Sequence, residues 1–514
     1  MMNNRSANMI HKFKHFFLSL VVLLAIHIYS PMVCAQAVQG GSWQMLDLKK
    51  DRVMGISANL AFETLLGHRS ALPVIVAVID GGVDTLHKEL KNILWRNAGE
   101  VANNRIDDDH NGYVDDVHGW NFLGSPKSSF QYDNYDLIRN LRSAPKGTTE
   151  AEQLQLTLEG SRKLVQQDIN DTKATIAAVD SIVAGIRKSN PTVDDFKNYR
   201  YLDYAQEQQL LLIVAALKYR PDVVAYRKHL QSVLNKLMDD LNYSLNINYN
   251  PRQGKEFRQP FNGNSDVQGP WALHGSHVAG IIAGRSVGVA KNNVKLMILR
   301  TVPTGDYLDN DMAKAIRYAA DNGAKVINIS AGKSGVRDPD LIEAAIRYAM
   351  DKDVLIVHAS GNYGQLLEQG YYPQSTYKQG GKAKAWIEVG ASGPTNDSTL
   401  ILKASNYGKS VVDVFAPGVN IRSCAIGNEY SEQSGTSMAA AVVSGIAAVL
   451  RSYYPGFTAE KISKIILDSC QEVGHKVEAS NGIMIPFTET CVSGGIVNLY
   501  RALRLAETLD NAAR

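Results

Sequence analysis

The chain has 514 residues, a formal net charge of +3, 45% hydrophobic side chains and 20% charged ones. So small a net charge on so long a chain argues against a nucleic acid or an anionic membrane surface as the main partner, and the apolar content excludes a chain too polar to bury a core. What remains is a globular enzyme or binder, built as one large domain with additions or as two domains of ordinary size.

Taken in chain order, the first signal concerns targeting. Arg5, Lys12 and Lys14 precede an apolar run over 16–28, and Val33-Cys34-Ala35 offers the small residues of a cleavage site. This pattern predicts a signal peptide over 1–35 and an exported protein, periplasmic, cell-surface or extracellular. The run falls short of the ~20 residues a membrane span needs and is interrupted by His27, so no stable span is expected after cleavage. Residues 36–72 then read as an N-terminal arm.

From residue 74 the run Val-Ile-Val-Ala-Val-Ile ends abruptly in Asp80-Gly81-Gly82, which predicts a strand buried on both faces and opening into a turn. The same grammar resumes much later, with apolar runs at 294–299, 325–330 and 354–359 and helical patterns at 311–322 and 339–352. Two further apolar runs at 386–391 and 411–415 extend the series. Strands alternating with helices imply a parallel sheet covered by helices. The interval 126–264 differs: it is poor in Gly and carries Leu154, Leu158, Val165 and Ile169 at helical spacing. We read it as an insertion of two to four amphipathic helices, with breaks at Asn190-Pro191 and Arg220-Pro221. Since it enters between two candidate active-site residues, it is expected to act as a lid or substrate platform, or else to pack away from the site and add stability. The interrupted α/β body occupies 73–125 and 265–505, and 506–514 form a tail. After signal cleavage only Cys424, Cys470 and Cys491 would remain; Cys470 and Cys491 could pair, but three cysteines are too few for a disulfide scaffold.

Three segments place reactive side chains where backbone geometry is special. Asp80 ends a buried strand, where ligand crevices of open α/β sheets lie. His274 opens His274-Gly275-Ser276-His277-Val278-Ala279-Gly280, a helix so rich in Gly and Ala that another backbone must pass close to it. Ser437, in Ser434-Gly435-Thr436-Ser437-Met438-Ala439, falls in the first turn of an apolar helix, where free N–H groups and the dipole favour negative charge. Any one of these could be structural. Together they supply the orienting acid, the base and the nucleophile that an activated serine requires.

With Val76-Ala77-Val78-Ile79-Asp80, His274 to Gly280 and Gly435-Thr436-Ser437-Met438-Ala439 in this order, the chain resembles the subtilisin-like serine proteases. The resemblance covers roughly 70–125 and 265–505. It implies a three-layer α/β fold with a mostly parallel central sheet, and a serine endopeptidase acting on peptide or protein substrates through an acyl-enzyme. Asp80 would fix the tautomer of His274, the general base, and Ser437 would attack the scissile carbonyl. Asn362, after Val357-His358-Ala359-Ser360-Gly361, would donate to the oxyanion. Ser330, Ala331 and Gly332 would hydrogen-bond an extended substrate, with Ala359, Ser360 and Gly361 on the facing wall. Two departures stand out: Ala331 replaces a commonly larger residue, and Ala441 replaces the usual Pro of the nucleophile's helix, a change that should cost rigidity more than chemistry.

The run from Asp107 to Asp116 looks like an acidic Ca²⁺ loop, with Asp107, Asp109, Asn111, Asp115 and the Tyr113 carbonyl as expected ligands and Gly112 at the turn. His118 stands where an EF-hand would place its bidentate Glu. His277, three residues after His274, is expected to be a buried structural histidine and not a zinc ligand.

Overall fold

The computed structural model describes residues 42–67, 69–217, 222–258, 261–291, 294–480 and 482–512. The expected signal peptide and the Arg220-Pro221 break lie outside them. The chain divides into two compact units, one over 132–250 and one formed by 36–131 with 251–514.

The larger unit is built on a nine-stranded sheet. Its strands are β1 (Val74–Asp80), β2 (Gly119–Asn121), β3 (Val294–Arg300), β4 (Val326–Ile329), β5 (Leu355–Ala359), β6 (Trp386–Ser392), β7 (Val414–Pro417), β8 (Gln471–Glu472) and β9 (Gly495–Ile496), in spatial order β8-β9-β7-β6-β5-β4-β1-β3-β2. Every pairing is parallel except β8 with β9. The expected parallel α/β sheet is therefore present, and the central strands are apolar on both faces because both are covered. One face packs against helices α1 (Leu273–Ala283) and α4 (Thr436–Tyr453), the other against α2 (Asp309–Asp321) and α3 (Pro339–Asp351). By length and composition α4 could cross a membrane, but it is almost wholly buried. A helix apolar all round is a buried one, and here it is buried against the sheet and its neighbouring helices.

The close backbone approach expected of the His274 helix is found at Gly275, where a Cβ would sit 2.1 Å from the Gly82 carbonyl oxygen. Only glycine lets α1 come down on the turn that follows β1, and this brings the start of α1 to the end of β1.

Three boundaries differ from expectation. From residue 42 the expected N-terminal arm is packed into the body: Trp43 is buried and donates through Nε1 to the Val419 carbonyl at 2.9 Å, and Met54 and Ile56 are wholly enclosed. The start of the expected tail is helical, since a helix at Leu499–Asn511 runs through it to residue 511 with Ala506 buried. The helical insertion is narrower than 126–264. Phe130 already belongs to the body, where its carbonyl accepts from Arg300, and Arg252 returns the chain to the body through an ion pair with Asp311 at 2.7 Å. These anchors are contacts between particular residues far apart in sequence, which periodicity does not reveal.

The insertion itself contains helices at Asp136–Ser143, Thr149–Ile186, Val193–Lys197, Tyr204–Ala216 and Val223–Asp239. They share a core that includes Leu158, Val165 and Ile169. The break at Asn190-Pro191 is present. Cys424, Cys470 and Cys491 are buried free thiols, so the expected option of a Cys470–Cys491 bridge is not taken.

Candidate active site

Asp80 stands at the carboxyl end of β1, 3% exposed, and both its oxygens lie 2.9 Å from His274 Nδ1. The Gly81 N–H donates to Asp80 Oδ1 at 2.7 Å, which fixes the carboxylate independently of the ring. With Nδ1–H given to Asp80, the other ring nitrogen is left to act as a base. Burial of the His274 ring pulls its pKa down, but the charge of Asp80 and the hydrogen bond to it act the other way and win, leaving it above the ordinary value. Asp80, His274, Trp271, Val302 and Ser330 line one cleft of 260 Å³.

Ser437 lies in the first turn of α4 and is 7% exposed. Its hydroxyl donates to the Ser330 carbonyl at 3.3 Å, and no hydrogen bond joins it to His274. Catalytic hydrogen bonds are often long or unmade until substrate binds. A buried polar chain ties the serine's helix to β4: Ser444 donates to Asn328 Oδ1 (2.9 Å), Asn328 Nδ2 to Ser330 Oγ (2.9 Å), and Ser330 Oγ to the Ser437 carbonyl (3.3 Å). Ser437 and the expected substrate strand are thus held as one piece.

Asn362 is held by its carbonyl end. Oδ1 accepts from the Thr436 N–H at 2.9 Å and from Thr436 Oγ1 at 3.2 Å, which leaves the amide NH₂ as the end open to an incoming oxygen. The Ser437 N–H has no partner among the described residues. Ala359, Ser360 and Gly361 lead into this loop. Gly361 has φ +97°, and its N–H donates to Thr436 Oγ1 at 3.2 Å. Asn406, absent from the sequence reading, clasps the loop from behind: its Nδ2 donates to the Ser360 carbonyl at 2.8 Å and its Oδ1 accepts from the Tyr363 and Gln365 N–H groups. No short motif marks a residue that acts across forty positions.

His277 is fully buried, with Nε2 3.1 Å from the Ser431 carbonyl, and burial pushes its pKa down to about 4. The neutral ring fits the structural part expected of it.

In the acidic loop the structure brings together a group of carboxylates that overlaps the expected ligand set at Asp109. Of the five expected ligands only Asp109 joins a cluster of carboxylates, whose other members are Glu100 and Asp116, with ligand oxygens within 4.8 Å of one another. Asp107 instead accepts from the N–H groups of Asn111 (3.0 Å) and Gly112 (2.8 Å), and Asp115 from those of Asn104 (3.1 Å) and Arg105 (2.9 Å). Asn111 Oδ1 accepts from the Tyr113 N–H at 2.7 Å. These side chains hold the turns of the loop, which is what short Asx side chains do when a backbone N–H lies within reach. Tyr113 packs its ring against Trp120 and Tyr318. Glu100 and Asp116 are almost wholly buried. Burial above all, with the neighbouring carboxylates adding to it, raises the pKa of both against the hydrogen bonds that each accepts. An all-oxygen, multiply anionic donor set, buried at Glu100 and Asp116 and exposed at Asp109, fits a hard divalent cation such as Ca²⁺.

With this geometry in place, comparison with known proteins is informative. The model of the subtilase family matches residues 73–483. A thermophilic serine proteinase of Bacillus sp. (strain AK1) is 38% identical over 185 residues, covering 35% of this chain and 42% of that protein. Thermitase of Thermoactinomyces vulgaris is 34% identical over 243 residues, covering 45% of this chain and 75% of its own. Like the first, several of the curated relatives are matched over only about half their length, as with the 56% of a thermostable alkaline protease from Halalkalibacterium halodurans. Among solved structures, the A-subunit of the AB5 toxin from E. coli matches with 27% identity and a TM-score of 0.38, covering 46% of this chain and 79% of its own.

Proposed function

The chain belongs to the subtilase family, and from that premise we propose that it is a serine endopeptidase in which Ser437, His274 and Asp80 form the catalytic triad. The observation that carries this reading is the two-oxygen grip of Asp80 on His274 Nδ1 at 2.9 Å, at the mouth of the cleft that Ser330 shares.

His274 Nε2 takes the Ser437 proton as Oγ attacks the scissile carbonyl, and Asp80 stabilises the imidazolium that results. The oxyanion is met by Asn362 Nδ2 and the Ser437 N–H, at the positive end of the α4 dipole. The amine leaves with the proton from His274, and water repeats the sequence on the acyl-enzyme. An extended peptide lies along residues 330–332, with Ala359 to Gly361 on the facing side. Such β-addition recognises backbone first. Export rests on the leader pattern that ends at Ala35.

The test is the pH profile. A protonated His274 cannot act as a base, and Asp80 holds its pKa above the ordinary value near 6.5. Therefore kcat/KM is expected to be low in acid and to rise through an apparent pKa above 6.5. Asp80→Asn should lower the plateau by about 10⁴, the scale of that change in a serine protease triad. It should also move the rising limb to lower pH. A profile with no such limb between pH 5 and 9 would remove His274 from the role.

We also propose that Glu100, Asp109 and Asp116 hold a structural Ca²⁺. Removing the cation would leave their carboxylates to repel one another, so a chelator should lower Tm. Both raised groups favour a protonated, folded apo state, and that benefit is lost as pH rises through their folded pKa values. The drop in Tm is thus expected to be larger at pH 8 than at pH 5. Differential scanning calorimetry with and without chelator checks this, and identical curves at pH 8 would dismiss the site.

A further inference from the structure

Behind the expected substrate strand lies a second histidine–carboxylate pair that the mechanism does not use. His358 on β5 and Glu388 on β6 are register partners. They are 0% and 3% exposed, and His358 Nδ1 lies 2.9 Å from both Glu388 oxygens. Trp386 Nε1 also donates to Glu388 Oε2 (3.0 Å), and the Glu388 N–H donates to Asp413 Oδ2 (2.8 Å), whose other oxygen pairs with Lys382 (2.9 Å). Nδ1 faces carboxylate oxygens and Nε2 faces a backbone carbonyl, acceptors on both sides, so each ring nitrogen has a proton to give; the charge of Glu388 and its hydrogen bond, acting against burial, shift the His358 pKa upward in the same sense.

A buried ion pair is a poor way to gain stability, because the desolvation of both charges consumes most of the attraction. What this pair does with its second proton is specific. His358 Nε2 donates to the Ala331 carbonyl at 2.9 Å. In a trans peptide the carbonyl of one residue and the N–H of the next point in opposite directions. With the Ala331 carbonyl drawn inward, the Gly332 N–H is turned outward. Gly332 is exposed, and its N–H has no partner among the described residues. On either side the segment is pinned, by Ser330 to Ser437 and by the paired backbones of Lys333 and Tyr372 at 3.0 and 2.9 Å. The Gly332 N–H is therefore a donor that the segment leaves open, in an orientation set from behind.

We propose that His358 and Glu388 are a positioning dyad that fixes the Ala331–Gly332 peptide plane so that the Gly332 N–H receives a backbone carbonyl of the bound substrate. This rests on the endopeptidase reading above. Ser330 adjoins the nucleophile, so in antiparallel addition Gly332 meets the residue two positions N-terminal to the scissile one, because alternate residues of a strand share a side. The dyad acts on the reach of the substrate and not on the chemistry at Ser437.

Two substrates separate these effects: N-succinyl-tetra-alanine 4-nitroanilide, which has that carbonyl, and N-acetyl-alanine 4-nitroanilide, which lacks it. His358→Val is expected to lower kcat/KM at least tenfold on the long substrate, chiefly through KM, and less than twofold on the short one. His358→Gln, which retains an N–H for the Ala331 carbonyl, should restore most of the loss. An equal loss on both substrates, or none on the long one, would overturn the proposal. Should His358→Val fail to fold, the same comparison on the near-isosteric Glu388→Gln decides by the same criterion. If the unmodified protein hydrolyses neither substrate, the endopeptidase reading is what has failed. The dyad is then judged by calorimetric binding of N-succinyl-tetra-alanine to the Ser437→Ala protein: tenfold weaker binding when His358→Val is added supports it, and unchanged or absent binding refutes it.

Discussion

Replacing Ser437 with alanine is expected to lower kcat by about 10⁶, the scale of nucleophile loss in subtilisin itself, a member of the same family. The fold should survive. Alanine is the best helix former, and the hydroxyl makes a single hydrogen bond, 3.3 Å to the Ser330 carbonyl, at a site that stays 7% exposed. Thermal unfolding recorded beside the activity assay checks both halves: a large loss of activity with an unchanged Tm assigns the loss to chemistry. Retention of more than a few per cent of the activity would mean that another residue is the nucleophile.

Asn362→Asp should lower kcat by at least 10²–10³, the scale known for one oxyanion donor, with KM little changed. Aspartate keeps the oxygen that accepts from the Thr436 N–H and Oγ1, so the loop keeps its anchor. It loses the NH₂ donor and puts negative charge where negative charge develops. Asn362→Ala removes the donor and the anchor together, orphaning the Thr436 N–H, and should therefore lower Tm as well as kcat. If Asn362→Asp left kcat within a factor of three while Asn362→Ala did not, the residue would be a loop anchor and not an oxyanion donor.

These residues were legible because each sits at an element terminus that the sequence announces. Asp80 follows a β-branched run, His274 opens a Gly- and Ala-rich helix, and Ser437 begins an apolar helix after Gly435. The parallel sheet was legible for the same reason: strands buried on both faces read as continuous apolar runs. What escaped is everything that depends on contact across long sequence separations. The segment around Trp43 and Ile56 carries no strong periodicity, yet it is held by Val419 and Leu499. Position along an EF-hand-like pattern named Asp107 and Asp115, and the structure shows both accepting backbone N–H groups of the loop. The carboxylate cluster that includes Asp109 also takes in Glu100, which precedes the run, and Asp116 at its end. His358 and Glu388 went unnoticed because a charged residue inside an apolar run looks like an exception until its partner on the next strand is known.

The most direct test of the triad is labelling with a fluorophosphonate probe followed by peptide mass analysis, because it asks which oxygen attacks without requiring the right substrate. One adduct per chain on Ser437 is expected, forming more slowly as pH falls below the raised pKa of His274 and hardly at all in a His274→Ala protein. A folded protein that takes up no probe, or takes it up on any other residue, would contradict the assignment of Ser437 as an activated nucleophile.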